Sequence, residues 1–599
     1  MQRIVCALLA PALLFSTEPT GPVIRQSSIV LDKPDAEYTI QVGGTMDPEN
    51  LEVTIENLGD TPLVNPRLTV NGLYDWFDAK TLAAEITRDA RTDEEKAIAI
   101  WWWVRYRTFQ RSPRDESAVH PIRAMNGYGY GICGHVAGWM KALWTAAGLR
   151  ARVQELWGHT VSEVYYNDAW HMLDGNVKVF YLDKDNRTIA SLATLEHNKA
   201  LIERTIHPRE LEPWYLGLDT PERNLEFVRY LTSYKDNYEE HSYDSVLAKD
   251  YSMAMNLKPG ETLVRWWTPR LGKFEGRESR AEQPKRYANG QLIWEPDLTR
   301  VDMRPYLSVP GYGNIATRAE DKQSPAIHVA DLQDELYDRP SVFTLPIESP
   351  YPVLGGRFNC TLIKGGHSDL DMATINFGRP GWDAGDLYVY RWDSGPQKID
   401  LDLDAKLARS GVQYKYELGF SLRGNAHNNP PTQAGVEAFR SETDLQVAPE
   451  SLPALSLGSN RIHFRQESKA PGKVRITFKW REVNGPRPPA LVTKAISAGD
   501  GAEVQSLAPL LRWAPSSATH EGGSVADYQV MVSLRPDCRW PLSTTLHRNI
   551  GSPATEWTVP AGFLNAATTY YWKVRARDNH GHISEWGPVF QFRTAGTAR

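Results

Sequence analysis

Gly127-Tyr128-Gly129-Tyr130-Gly131-Ile132-Cys133-Gly134-His135-Val136-Ala137 and, a little further on, His159-Thr160-Val161-Ser162-Glu163-Val164-Tyr165-Tyr166-Asn167-Asp168-Ala169-Trp170-His171-Met172-Leu173-Asp174 carry the fold of this chain. In the first run a glycine-rich approach leads to apolar residues Val136, Met140, Leu143 and Ala147, spaced as on one helical face, and Gly148 supplies a stop. A helix is therefore expected to start near Cys133. A thiol at a helix N-terminus faces unpaired backbone N–H groups and the positive end of the macrodipole, which favour thiolate. The glycines allow backbone to come close to a substrate, and the N–H groups after Cys133, that of Gly134 first, suit an oxyanion. Tyr128, Tyr130 and Trp157 are the aromatic side chains expected around such a pocket.

The second run reads as a hairpin. With Asn167-Asp168 as a two-residue turn, Tyr166 pairs with Ala169 and Val161 with Asp174, so His159, Val161 and Asp174 project from one face. Diagonal neighbours on one face lie about 7–8 Å apart, within reach of an imidazole and a carboxylate. His171 is closer in sequence to Asp174, but a separation of three along one strand sends it to the other face, where a structural role is expected. The chain thus supplies a thiol, an imidazole and a carboxylate in that order, the set needed for a nucleophile, a base and an orienter.

Outward from these runs, Thr92-Asp93-Glu94-Glu95 reads as a capping box opening a helix with Ala97, Ile100, Trp101 and Val104 on one face, ending before Pro113. Strands are expected over Ala151 to Leu156, His159 to Tyr166 and Ala169 to Asp174. Weaker helical character returns over Leu192 to Arg204 and Pro221 to Ser233. The expected order is a leader at 1–22, a β-rich segment or small sandwich at 23–78, the thiol-bearing α+β core at 79–245, an irregular linker region with short strands at 246–346, a β-sandwich at 347–484 and a second β domain at 485–599. Gly485-Pro486-Arg487-Pro488-Pro489 marks the last boundary.

The pieces Gly131 to Ala137, Ala146-Ala147-Gly148-Leu149-Arg150-Ala151-Arg152, His159 to Val164 and Trp170 to Asp174 together resemble the core of the transglutaminase-like superfamily. The resemblance implies a papain-like cysteine fold in which Cys133, His159 and Asp174 are nucleophile, base and orienter, and which needs no cofactor. It departs at Val161, where the family often has an aromatic residue two positions after the histidine. The segments Leu511-Arg512-Trp513, Ala526 to Val532 and Thr568 to Asp578 resemble a fibronectin type III domain, which implies architecture and nothing about activity. The fold class expected is multidomain α+β and all-β, a transglutaminase-like core flanked by β-sandwiches.

Composition bounds the partners. Across 599 residues, 67 Lys+Arg against 73 Asp+Glu leave a net charge of -6 with no basic stripe, which argues against nucleic acid. No stretch is long and apolar enough to span a bilayer. Met1-Gln2-Arg3 followed by the apolar run Ile4 to Phe15 has the form of a secretory leader, so a secreted or periplasmic location is expected. Loss of the leader removes Cys6 and leaves Cys133, Cys360 and Cys538, an odd set with at least one free thiol. A zinc site built from Cys133, His135, His159 and His171 lacks paired-ligand spacing, so no metal is expected. Asp183-Lys184-Asp185-Asn186 lacks the later bidentate Glu of a calcium loop and reads as a solvated turn. Trp101, Trp102 and Trp103 cannot all face one core, so one of them either packs on a neighbouring sandwich or lines a cleft.

The function expected is thiol-dependent acyl transfer, as amide hydrolysis or transamidation, on an extracellular peptide, amide or glycan-linked substrate. A second reading is a polysaccharide-associated protein whose Trp- and Tyr-rich β domains bind or process glycan while the thiol site is accessory. A third is an adhesion protein with a dead site.

Overall fold

The computed structural model describes residues 23–596, apart from 206–227, 235–246, 248, 276–283, 285, 311–313, 319–323, 331–340, 365–371, 378–386, 392–394, 410, 424–433, 469–471, 486 and 500. The expected leader and most of the expected helix from Pro221 lie outside the described residues.

Helix α1 (Ala79–Thr87) starts at a full capping box, with Asp78 and Thr81 each accepting the other's backbone N–H. Helix α2 (Asp93–Arg105) starts where the sequence places it, Thr92 Oγ1 accepting the Glu95 amide at 3.2 Å. Its box is half made: the Glu95 carboxylate takes the Arg91 amide at 2.7 Å and meets Arg535 at 2.6 Å. After α3 (Pro121–Gly127) comes α4 (Cys133–Ala146), which buries Val136, Met140 and Leu143 and ends beside Gly148, held at φ 86°. Each buried aliphatic side chain of that face contributes roughly 1.5–3 kcal/mol.

Beside α4 lies a four-stranded antiparallel sheet in the order Val179–Phe180, Ala169–Asp174, His159–Tyr166, Arg150–Leu156. Asn167 and Asp168 both take left-handed φ, 47° and 59°, as a two-residue hairpin turn requires, and Tyr166 pairs with Ala169. The weak helical stretch after Leu192 is two short helices, Leu192–Glu196 and Lys199–Glu203. Asp183 to Asn186 is a turn whose Asp185 side chain accepts the Arg187 and Thr188 amides, and Asn186 bonds Asn565 of the C-terminal domain.

The remaining β structure is less divided along the chain than expected. One 13-stranded sheet runs from Val23–Leu31 through Val474–Val483, Met46–Asn57, Glu261–Trp266, Ala288–Trp294 and Gly435–Val447 to Ser341–Lys364 and beyond. The N-terminal strands therefore do not form a sandwich of their own, and the stretch read as linker gives two interior strands. Alternation along a strand shows which face is buried and leaves the partner open, and Val23–Leu31 and Met46–Asn57 both find theirs hundreds of residues away on Val474–Val483. A second layer, Asp35–Val42, Gly458–Arg465 and Arg67–Val70, shares one core with this sheet. Residues 495–594 form a three-stranded and a five-stranded sheet, whose core is continuous with that of α1, α2 and α4.

Candidate active site

Cys133 is the first residue of α4, and Ile132, the residue before it, offers no side-chain cap to the first-turn N–H groups. The glycine before them is needed for packing: a Cβ on Gly131 would fall 2.4 Å from Trp139 Cη2 and 2.9 Å from His135 Cβ. Gly127 likewise lies under Pro352, so these two glycines serve close approach within the protein. Cys133 is partly exposed, and its sulfur shares a hydrogen bond with His159 and accepts the Thr160 amide.

His159 Nε2 lies 2.6 Å from Asp174 Oδ2, which leaves Nδ1 for the sulfur. The other carboxylate oxygen, Oδ1, accepts the amides of Asn176 at 2.8 Å and Val177 at 3.0 Å. The Asp174 carbonyl accepts Trp101 Nε1 at 2.8 Å, so α2 holds the carboxylate's backbone. Thiol, imidazole and carboxylate are thus joined in one chain of hydrogen bonds, with His159 and Asp174 both buried.

Burial raises the Cys133 thiol pKa, but the hydrogen bond and charge of His159 and the Thr160 amide outweigh it and hold the thiol below its ordinary value. Burial lowers the His159 pKa, and the charge and hydrogen bond of Asp174, with Cys133 adding to them, bring it up to about 10. Both shifts favour thiolate beside imidazolium. The other two thiols differ: burial pushes Cys360 and Cys538 each up to about 12, and neither is in a disulfide.

The remaining residues expected at the site divide. Gly134 is buried as the second residue of α4, with its amide in the turn that starts at the thiol. Tyr128 and Tyr130 do not face a pocket. Both are wholly buried, Tyr128 donating to Asp115 at 3.0 Å and Tyr130 to Glu275 at 2.9 Å, while Tyr414 at 3.1 Å from the Tyr128 hydroxyl and Gln446, donating to Tyr130 at 3.1 Å, tie them to strands of the large sheet. Trp157 is 55% exposed at the turn before His159, with the Arg229 guanidinium 3.6 Å over its ring. His171 stacks on Tyr166 at 3.7 Å and bonds the Ile189 and Tyr166 carbonyls, away from Asp174. Among the described residues no group of three His, Cys, Asp or Glu side chains is set to hold a metal ion.

Sequence reasoning missed the supports. The Asp174-Gly175-Asn176 turn, whose amides bind Oδ1, carries a turn signature that could have been read. Trp101's bond to the Asp174 carbonyl has no local signal.

Residues 80–175 match the family model of the transglutaminase-like superfamily. Residues 497–597 match that of the Rha78A-like, N-terminal immunoglobulin domain, so the C-terminal domain is immunoglobulin-like by this comparison where a fibronectin type III likeness was expected. No curated protein matches the chain. Among solved structures, the sixth fibronectin type III domain of human fibronectin type III domain containing protein 3 is 19% identical, covering 19% of this chain and 88% of that one, at a TM-score of 0.12. A beta-1,2-glucanase from Parabacteroides distasonis is 10% identical over 53% of this chain and 34% of its own, at 0.13. The glycoside hydrolase domain of Endo-D from Streptococcus pneumoniae R6 is 10% identical over 51% and 33%, at 0.12. At such TM-scores the likeness bears on neither fold nor function. Among the described residues no helix is long and apolar enough to cross a membrane.

Proposed function

We propose that this protein is an exported, transglutaminase-like cysteine enzyme that transfers acyl groups through a Cys133–His159–Asp174 triad in a papain-like arrangement, with its β domains, the C-terminal one of fibronectin type III character, positioning or anchoring it. The observation that carries this is a helix-terminal thiol hydrogen-bonded to an imidazole whose other nitrogen lies 2.6 Å from a buried carboxylate.

The Cys133 thiolate attacks the carbonyl carbon of an amide, and the carbonyl oxygen takes the negative charge beside the first-turn amides of α4. When the C–N bond breaks, the His159 imidazolium gives its proton to the departing amine, which leaves as a neutral molecule, while the acyl half stays on Cys133 as a thioester. Water or a second amine then enters. His159, now neutral, takes the incoming proton, the new C–O or C–N bond forms, and the C–S bond breaks to return thiolate and imidazolium. Asp174 stays ionised throughout and holds the ring so that Nδ1 faces the sulfur.

The test is intact-mass trapping. Incubation with a pool of peptide amides is expected to add an acyl mass to the wild-type protein and none to Cys133→Ala. Wild-type protein that gains no acyl mass from any amide in the pool and turns none over would sink the proposal.

A further inference from the structure

Among the described residues the strongly exposed large hydrophobic side chains are aliphatic except for Trp157, and Trp157 adjoins the thiol site. It takes the first place in the two-residue turn between the strands Arg150–Leu156 and His159–Tyr166, with Gly158 second at φ 78°. Its amide donates to Ser233 Oγ at 3.0 Å, and that hydroxyl donates to the Tyr230 carbonyl at 2.5 Å. The Tyr230 ring stands 6.0 Å from the indole and 5.9 Å from the His159 imidazole, bridging the two. The exposed Arg229 lies on the indole. An indole held at its backbone and on one face, yet open to water, is a preorganised surface beside the imidazole.

The position fixes which part of a substrate meets it. His159 gives its proton to the departing amine, so the amine half of the scissile amide lies on the imidazole's side, which Tyr230 and Trp157 flank. A guanidinium stacked on an indole keeps its N–H edge free to face outward, and that edge matches a carboxylate through two parallel N–H···O bonds. Thiolate and Asp174 against one imidazolium leave the site net negative, so an anionic substrate needs a cation at its mouth, and Arg229 provides one.

We propose that Trp157, Tyr230 and Arg229 form the leaving-amine subsite, and that it takes an amino-acid amine bearing a carboxylate, with the indole under its flat or aliphatic part and Arg229 on the anion. This rests on the acyl-transfer reading above. The carboxylate has two sources: the α-carboxylate of a C-terminal residue, or the side chain of an Asp or Glu that follows the scissile amide.

Matched peptides that share one acyl half test both. Leaving halves of glycine against glycinamide read the α-carboxylate, and aspartate amide against asparagine amide reads the side chain. Binding is measured calorimetrically on full-length Cys133→Ala, and amine release on the otherwise wild-type chain. In at least one pair the carboxylate member is expected to bind and react about tenfold better. Arg229→Gln is expected to bring that ratio close to one, and Trp157→Ala to weaken both members of the pair. A ratio near one in the unaltered subsite, a ratio that survives Arg229→Gln, or no binding by any peptide overturns the proposal. Because binding is read without turnover, the two failures are distinguishable: a carboxylate preference on Cys133→Ala without any thioester on the wild-type chain would sink the acyl-transfer reading and with it the leaving-amine role, and keep only the carboxylate contact at Arg229.

Discussion

Cys133, Cys360 and Cys538 share one side chain in three surroundings, and their chemistry should differ accordingly. Near neutral pH iodoacetamide should modify Cys133 at least about a hundredfold faster than the other two, since burial holds those thiols protonated and shielded. Peptide mapping after a timed pulse checks this. The pH dependence follows from the direction of the shifts, taken for the pair together. A thiol held below its ordinary 9.0 ionises at lower pH than a free one, so the rise of Cys133 alkylation with pH should have its midpoint below pH 9. An imidazolium with its pKa raised to about 10 keeps its proton until then, so turnover should fall above about pH 10 while alkylation does not. In Asp174→Asn the charge that raises His159 is lost: turnover should drop roughly a thousandfold or more, and alkylation at pH 7 should slow and recover at higher pH.

Two elements meet behind the carboxylate. The turn after Asp174 passes so close to α4 that a Cβ on Gly175 would lie 2.5 Å from Met140 Sδ and 3.0 Å from Val136 Cγ1. Gly175→Ala should therefore push the turn off the helix, costing about 1–3 kcal/mol in urea unfolding and slowing Cys133 alkylation as the Asn176 and Val177 amides leave Oδ1. The opposite support comes from α2. Of the three tryptophans there, Trp101 is buried against Phe180 and bonds the Asp174 carbonyl, Trp103 lies edge-on to Trp76, and Trp102 stands 5.3 Å from His547 of the C-terminal domain. The helix period makes three adjacent bulky residues face three ways, and here each direction has its own partner.

α2 is thus one link through which the C-terminal sandwich bears on the site. Arg535 meets Glu95 at its start, Asn186 and Asn565 bond across the adjoining turn, and the apolar core runs through without a break. Trp102→Ala should lower stability by about 2 kcal/mol, less than for a fully buried tryptophan because Trp102 is half-buried. If the sandwich braces α2, the same change should reduce the alkylation rate of Cys133, which the altered residue does not touch. Chemical denaturation and the timed pulse measure the two effects separately.

Local rules sufficed for the thiol at its helix start, the hairpin turn and the face shared by His159 and Asp174, because helix capping, turn chemistry and strand parity act within a few residues. They did not give the supports: Trp101 lies 73 positions before Asp174, and the Tyr130 hydroxyl finds its carboxylate acceptor 145 positions away at Glu275. Nor did they assign the β strands to sheets, since Val23–Leu31 pairs with Val474–Val483 and the alternating pattern of a strand is the same whichever neighbour covers it. Contacts that close such long loops are selected by the summed packing of many side chains in three dimensions, and no short window of residues contains that sum.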